Sequence, residues 1–160
     1  HNPKNINIQV LVQENIRLLR PLAIKKGITI TNKLNEETIS YSDNSHINIV
    51  LRNLLSNSIK FTNAKGNITI SAIEKDSKVQ ISIVDDGIGM DSQTTNNIFK
   101  ENNYKSTYGT NNEKGTGLGL SICQEMVEKN GGQIWVESTL NKGTTFYFTL
   151  PSKKILKKII

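Results

Sequence analysis

The stretch Lys114-Gly115-Thr116-Gly117-Leu118-Gly119-Leu120-Ser121-Ile122 has glycine at three alternate positions, and an apolar run to Val127 follows it. Each glycine costs a helix or strand roughly 0.5–1 kcal/mol relative to alanine, so the spacing indicates that the backbone itself has a role. Glycines let main-chain N–H groups approach an anion, and the apolar run predicts a helix whose positive N-terminal end faces that anion. The pattern predicts a phosphate site, although glycines spaced in this way also occur in turns and lids.

Length and composition indicate one domain with a single core. The chain has 160 residues, of which 36% are hydrophobic, and no apolar run approaches the roughly 20 residues of a membrane span. One cysteine, Cys123, excludes an internal disulfide framework and a multi-cysteine metal site, and it fits a reducing cytoplasmic setting. The net charge of +6 favours acidic ligands such as nucleotides or nucleic acid, but 14 acidic residues lie among the scattered lysines.

The periodicity of apolar residues predicts the order of the helices and strands. A helix ending at Gly27 precedes strands over 28–34 and 36–41, and a long helix begins after Asp43 or Ser45 and runs to about Thr62. Residues 67–74 and 79–85 predict an antiparallel hairpin, and residues 133–138 and 144–150 predict another after a helix over 118–129. Adjacent pairs of strands favour a two-layer α/β sandwich with an antiparallel or mixed sheet and helices on one face.

Residues 90–117 are rich in Ser, Thr, Asn, Gly and Lys and show no clear periodicity. A connection of this length is more often a functional lid than a plain linker. It also argues against a Rossmann fold, because no strand leads directly into the glycine repeat. A Walker-type phosphate loop is excluded because its Gly-Lys-Ser/Thr ending is absent.

Three polar clusters together predict a purine nucleotide site. Asn53, Asn57 and Lys60 share one narrow helical face, and Asp85 ends a strand. A carboxylate accepts a hydrogen bond from an exocyclic amine, so Asp85 predicts recognition of adenine and rejection of guanine. The amide oxygen of Asn57 is a hard ligand suited to Mg²⁺, and Lys60 brings positive charge near the phosphates. Taken singly, the asparagines would only solvate a helix face and Asp85 would be a turn residue.

Four motifs in this order resemble those of the catalytic and ATP-binding domain of sensor histidine kinases. The segment Asn53-Leu54-Leu55-Ser56-Asn57-Ser58-Ile59-Lys60-Phe61-Thr62 resembles the asparagine box of that family. The three glycine boxes are matched by Asp85-x-Gly87-x-Gly89, Gly115-Thr116-Gly117-Leu118-Gly119-Leu120 and Gly143-Thr144-Thr145-Phe146. The resemblance covers nearly the whole chain, but the phenylalanine box departs from the family pattern after Phe99, so the lid aligns only loosely.

The resemblance implies a Bergerat fold, in which a mixed, mostly antiparallel sheet is backed by about three helices and ATP lies under a mobile lid. Residues 1–151 would form the catalytic domain. Residues 1–4 would end a linker from a helical dimerisation domain outside this chain, and residues 152–160 would form a basic tail or linker.

The resemblance also assigns roles by position. Asn57 would bind Mg²⁺, Asn53 would support the metal and phosphates, and Lys60 would meet the phosphates. Asp85 would read the adenine amine, helped by a water held near Thr144. The adenine would lie close to Gly87, Ile88 and Gly89. The phosphates would be bound by Gly115, Thr116, Gly117, Leu118, Gly119 and Leu120. Tyr104 or Lys105 would approach the phosphates or the helical domain.

The implied activity is that of an ATP-dependent protein histidine kinase with ATP and Mg²⁺ as cofactors. The γ-phosphoryl group would pass to a histidine on the dimerisation domain and then to the receiver domain of a response regulator. We expect this chain alone to bind nucleotide without autophosphorylation, in the cytoplasm, with no nucleic acid and no direct membrane contact.

Two alternatives stay open at this point. An ATP-hydrolysing clamp of the gyrase, chaperone or mismatch-repair kind shares the fold, but those enzymes generally carry a glutamate where this chain has Asn53, and an amide cannot take a proton from water. A nucleotide-sensing or nucleic-acid-binding module without catalysis is the other alternative, suggested by the basic charge and tail, and absence of a salt-sensitive affinity for DNA would dismiss its nucleic-acid form.

Overall fold

The chain contains both helices and strands, and the computed structural model describes residues 1–100, 109–110 and 119–155. The elements in chain order are β1 (Lys4–Asn7), α1 (Ile8–Lys26), β2 (Thr29–Asn32), β3 (Ile39–Ser42), α2 (Asn44–Phe61), β4 (Asn67–Lys75), β5 (Lys78–Asp85), α3 (Ser92–Asn97), α4 (Gly119–Lys129), β6 (Ile134–Thr139) and β7 (Gly143–Pro151). Both predicted hairpins are present. The predicted long helix is present as α2, which lies after α1 and before the two hairpins in the sequence.

Five strands form one mixed sheet in the order β2-β4-β5-β7-β6. The β2 strand runs parallel to β4, and the other neighbouring pairs are antiparallel. The register of β5 and β7 sets Asp85 opposite Thr144, so the end of one strand and the start of another meet at one edge of the sheet. The predicted two-layer sandwich with a mixed, mostly antiparallel sheet is therefore confirmed.

The core lies between one face of this sheet and the helices. Strands β4, β5 and β7 alternate between buried and more exposed residues, as expected for a sheet with one covered face. Helix α2 contributes a fully buried stripe against α1 and α4, because apolar residues recur there at helical spacing. The residues of that stripe are Ile47, Val50, Leu51, Leu54 and Leu55.

The helix ends follow local sequence signals. Asp43 is the N-cap of α2, and its carboxylate accepts hydrogen bonds from the backbone N–H groups of Ser45 and His46. Helix α1 ends at Gly27, which adopts a left-handed conformation with φ of 66°. Of the two predicted caps for the long helix, the structure selects Asp43.

The two ends of the described chain lie together. Strand β1 pairs antiparallel with β3, and Ser40 of β3 forms an isolated bridge with Ser152. The side chain of Asn5 accepts a hydrogen bond from the backbone N–H of Lys154 at 2.9 Å. Residues near the predicted linker and tail therefore contact each other. Within the described part of the chain, no helix is long and apolar enough to cross a membrane.

Candidate functional site

Asp85 is a buried carboxylate at the end of β5, with only 5% of its surface exposed. Its Oδ1 accepts hydrogen bonds from the backbone N–H of Gly87 at 2.9 Å and from that of Thr144 at 3.3 Å. Burial raises the pKa of Asp85 above its ordinary value of 3.8, and these hydrogen bonds oppose the rise. The carboxylate is thus fixed in position by backbone contacts.

Backbone packs closely around Asp85 at two glycines. A Cβ on Gly87 would lie 2.2 Å from the carbonyl oxygen of Phe61, at the end of α2. Gly143 has φ of 120°, and a Cβ there would lie 2.0 Å from the carbonyl oxygen of Asp85. Neither position has room for a side chain, so the glycines bring α2, β5 and β7 together around the carboxylate.

Gly89 and Ile88 extend this close packing to the loop between β6 and β7. Gly89 has φ of 64°, and a Cβ there would lie 2.0 Å from the carbonyl oxygen of Thr139. The backbone N–H of Ile88 donates to the carbonyl of Phe61 at 3.0 Å, and the Ile88 carbonyl accepts from Asn141 at 2.7 Å. The side chain of Ile88 is 37% exposed, which leaves an apolar surface beside the buried carboxylate.

Sequence reasoning missed Ser138, which organises the surroundings of Thr144. The Ser138 hydroxyl lies 2.7 Å from the Thr144 hydroxyl, donates to the Gly143 carbonyl at 3.0 Å and accepts from the Met90 N–H at 2.8 Å. Its position opposite Thr144 in the pairing of β6 and β7 explains the contact. Only the strand register identifies this residue, because nothing in its local sequence marks it.

Ser58 is a second residue that the sequence did not single out as functional. It is 1% exposed, and its hydroxyl forms no hydrogen bond with any residue in the described part of the chain. It nevertheless lies close enough to Asp85 to lower the pKa of that carboxyl, against the larger effect of burial. Helix α2 therefore places the Ser58 side chain beside the buried carboxylate and also carries the polar face of Asn53, Asn57 and Lys60.

The polar face of α2 meets the start of α4 at Asn53 and Gly119. The Asn53 amide nitrogen donates to the carbonyl of Ile49 at 2.8 Å, which fixes the side chain and leaves its oxygen as an acceptor. A Cβ on Gly119 would lie 2.8 Å from that oxygen. Glycine at position 119 therefore permits the contact between two of the predicted motifs.

Asn57 and Lys60 follow along the same face of α2, and both are half-buried. No hydrogen bond to another described residue occupies the carboxamide of Asn57. The Lys60 ammonium lies 4.9 Å from the centre of the Phe61 ring. The predicted grouping of Asn53, Asn57 and Lys60 on one face is what α2 shows.

A magnesium ion fits this donor set. Mg²⁺ commonly retains several waters and uses one or two protein oxygens together with substrate phosphates. The carboxamide oxygen of Asn57, to which no described residue donates a hydrogen bond, and Asn53 one turn earlier match that requirement. Among the described residues there is no group of three or more His, Cys, Asp or Glu that would hold a metal in an all-protein cage.

Several predicted site residues lie outside the described residues, so their positions stay predictions. They are Tyr104, Lys105, Gly115, Thr116, Gly117 and Leu118. Leu120 is described, on the first turn of α4, where it packs partly buried against the core. Within the segment predicted as a lid, the short helix α3 is present and begins after Asp91.

Asp86, next to Asp85, faces away from the site. Its carboxylate accepts hydrogen bonds from the backbone and side-chain nitrogens of Asn67 at 2.8 and 3.0 Å, and it is exposed. Side chains of adjacent residues at the end of a strand point in opposite directions. The two carboxylates therefore face different surroundings. This contrast provides a matched control for the role of Asp85.

Comparison with known proteins places this geometry in a family. The sequence model described as "Histidine kinase-, DNA gyrase B-, and HSP90-like ATPase" matches residues 42–154. The adaptive-response sensory kinase SasA of Synechococcus elongatus is 38% identical over 152 residues, which cover 94% of this chain and 39% of the relative. The chain thus spans about two fifths of the length of the curated relatives it matches.

Solved structures agree with the sequence relatives. The nucleotide-free catalytic domain of the histidine kinase ThkA superposes with a TM-score of 0.82 at 31% identity, covering 96% of this chain and 97% of that domain. A structure of ThkA in complex with the response regulator protein TrrA gives a TM-score of 0.77 at 27% identity, covering 94% of this chain and 42% of the ThkA chain.

Proposed function

Because the chain belongs to the family of histidine kinase-, DNA gyrase B- and HSP90-like ATPases, as a histidine kinase catalytic domain, we propose that it binds Mg-ATP and supplies the γ-phosphoryl group in a two-component sensor kinase. The observation that carries this proposal is the buried Asp85 carboxylate, which is held by two backbone N–H groups beside the polar face of α2. A fixed acceptor in an apolar setting selects a base that offers an amine.

Each end of the site has its own task in this proposal. Asp85 accepts from the adenine amine, and the hydroxyls of Thr144 and Ser138 hold a water beside the base. Asn53 and Asn57 orient the metal and the phosphates, and Lys60 adds positive charge there. Magnesium held there would neutralise negative charge on the phosphates. Phosphoryl transfer depends mainly on positioning and charge stabilisation, which suits a site made of amides and a lysine.

We propose that the phosphoryl acceptor is a histidine on a separate dimerisation domain of the same protein. A response regulator receiver domain would then take the group, as the ThkA–TrrA pairing suggests by analogy. The chain by itself would bind nucleotide without phosphorylating itself. We place the domain in the cytoplasm, where ATP is available.

Hydrolysis by a conformational clamp is the disfavoured alternative. A general base must accept a proton from the attacking water, and the amide of Asn53 cannot do so. The same amide already donates to the carbonyl of Ile49, which suits a ligand-orienting group better than a base.

The decisive experiment is calorimetric titration of the chain with a non-hydrolysable ATP analogue and Mg²⁺, beside the corresponding GTP analogue. Adenine-selective binding that is lost in Asp85→Ala and loses its Mg²⁺ dependence in Asn57→Ala is the expected result. Absence of binding by the folded wild-type chain would contradict the proposal. Transfer is then tested with the longer protein that includes the histidine-bearing domain.

A further inference from the structure

Lys26 is a buried lysine at the end of α1, with 6% of its surface exposed. Its ammonium donates to the carbonyls of Ile59 and Lys60 at 2.8 and 3.1 Å and to the hydroxyl of Thr110 at 2.6 Å. These three acceptors suffice for the three protons of an ammonium group. Lysines are seldom buried unless their charge is satisfied, so this set of contacts explains the position.

The two carbonyls belong to the last turn of α2, which ends at Phe61. The last carbonyls of a helix have no partner within the helix and carry partial negative charge. A buried ammonium supplies both hydrogen bonds and the favourable charge. Lys26 therefore caps the turn of α2 that carries Lys60, one turn beyond Asn57.

Thr110 is attached to the same turn from the other side. Its backbone N–H donates to the Lys60 carbonyl at 3.0 Å, and its hydroxyl donates to the Thr62 carbonyl at 3.0 Å. The hydroxyl thus accepts from Lys26 and donates to Thr62, the C-cap residue of α2. This joins three segments far apart in sequence, because Lys26 and Thr110 are separated by 84 residues.

We propose that Lys26 and Thr110 are positioning residues for the phosphate end of the site. Lys26 fixes the last turn of α2 from within the core, and Thr110 secures the same turn at the surface. Together they hold Lys60, and Asn57 one turn before it, in the orientation that phosphates and magnesium require. The inference rests on the proposed nucleotide function and extends it to residues outside the four motifs.

A purely structural cap would make a different prediction. Loss of stability alone would weaken all ligands of the site by the same factor. A positioning role weakens ligands that carry phosphates far more than adenosine, which meets only the Asp85 end, where the same turn contributes the Phe61 carbonyl. The ratio of the two affinities therefore separates the two roles.

The test uses Thr110→Val, which removes the hydroxyl at nearly constant shape, and Thr110→Ser, which restores it. Thr31→Val on the exposed part of β2 is the matched control. Affinities for a non-hydrolysable ATP analogue with Mg²⁺ and for adenosine are measured by calorimetry, beside the melting temperature without ligand. Lys26→Met is measured in the same way, and Thr110→Val keeps the test decisive if Lys26→Met does not fold.

We expect Thr110→Val to weaken the ATP analogue about 10-fold, the effect of losing roughly one hydrogen bond in a charged setting. Adenosine binding should change less than about 2-fold, and Thr110→Ser should recover the wild-type ratio. An unchanged ratio in Thr110→Val overturns the inference, as does an equal loss for both ligands. If the inference fails but the wild-type chain binds the analogue, the proposed function still stands. If the wild-type chain binds neither ligand, both proposals are overturned.

Discussion

The two ends of the candidate site are built in different ways. At the Asp85 end, the carboxylate is buried and bonded to two backbone N–H groups, and glycines bring three elements into contact around it. At the α2 end, Asn57 and Lys60 are half-buried and project from a single helix. Tertiary packing surrounds the first end, whereas the side chains of the second project from one helix, whose last turn is held by Lys26 and Thr110.

Under the proposed function, the difference matches what each end would recognise. A purine has a fixed shape and a few polar atoms, so a rigid acceptor in an apolar surface discriminates between bases. Phosphates and a hydrated metal would need charge and oxygen ligands more than a fitted surface, and amide and ammonium groups on a positioned helix face would supply them. Substitutions at the Asp85 end should therefore affect folding as well as binding, and those at the α2 end mainly binding.

Gly143→Ala should give the largest effect, on stability. The new Cβ would lie 2.0 Å from the Asp85 carbonyl oxygen at a φ of 120°, so strain and overlap both oppose the fold. We expect a loss of about 2–4 kcal/mol in the free energy of unfolding, measured by urea denaturation. Gly131→Ala is the control: its φ is 77°, but its nearest neighbour is 3.9 Å away, so it should lose about 1 kcal/mol. Equal losses would mean that packing around Asp85 is not tight.

Asp85→Asn should separate binding from stability. The amide retains an acceptor for the Gly87 N–H but no longer carries the charge that burial disfavours, so stability should stay constant or rise. Adenosine affinity should fall about 30-fold, corresponding to roughly 2 kcal/mol for a hydrogen bond to a charged group. Asp86→Asn changes the neighbouring exposed carboxylate and should leave adenosine affinity unaltered. A similar loss in both variants would contradict the assigned role of Asp85.

Asn57→Ala should act only at the α2 end. The increase in affinity that Mg²⁺ gives to the ATP analogue should shrink about 10-fold, the typical effect of perturbing metal coordination. Adenosine affinity should not change, and stability should stay within about 0.5 kcal/mol because the side chain is half-buried. Ser56→Ala, an exposed neighbour on α2, is the control in calorimetry. Unchanged Mg²⁺ dependence would remove Asn57 from the metal site.

The most gradual expected effect is the pH dependence of adenosine binding. The pKa of Asp85 is raised above 3.8 by burial, so acidification protonates it at a higher pH than an ordinary carboxyl and removes its acceptor charge. Affinity should fall as the pH drops through this raised pKa. As the pH falls over the same interval, down to about pH 3.8, the contribution of Asp85 to the free energy of unfolding should increase. The folded state binds the proton more tightly than the unfolded state does.

Calorimetry and denaturation across this pH range test whether affinity falls while the contribution to stability rises, with Asp85→Asn as the control. The variant should lose the pH dependence of both quantities that arises from this group. A fall in affinity and stability together in the wild-type chain would indicate general acid unfolding and not titration of Asp85.

Sequence patterns predicted the elements well where periodicity was clear. The stripe of α2 from Ile47 to Leu55 recurs at helical spacing, and the hairpin of β4 and β5 alternates around a polar turn. Local signals also identified Asp43 as one of two caps. The segment over 90–117 gave no periodicity, and the short helix α3 within it was not predicted because its residues are polar throughout.

The sequence predicted those residues of the candidate site that belong to the recognised motifs. Asn53 and Asn57 share a face because helical geometry requires it, and Asp85 ends a strand because alternation stops there. Ser138, Ser58 and Lys26 escaped notice, since a serine or lysine alone carries no local signal. Their roles depend on neighbours brought from other elements.

The sequence by itself therefore determined the order of elements, the two-layer architecture and the motif residues that point to a nucleotide. Those features depend on residue types at short spacings, which local geometry and hydrophobic burial convert directly into structure. Only the tertiary structure decided the contacts between distant segments: Asp85 with Thr144, Asn53 with Gly119, and Lys26 with Thr110. Such contacts arise from strand register and helix packing over the whole core, and no single stretch of sequence specifies them.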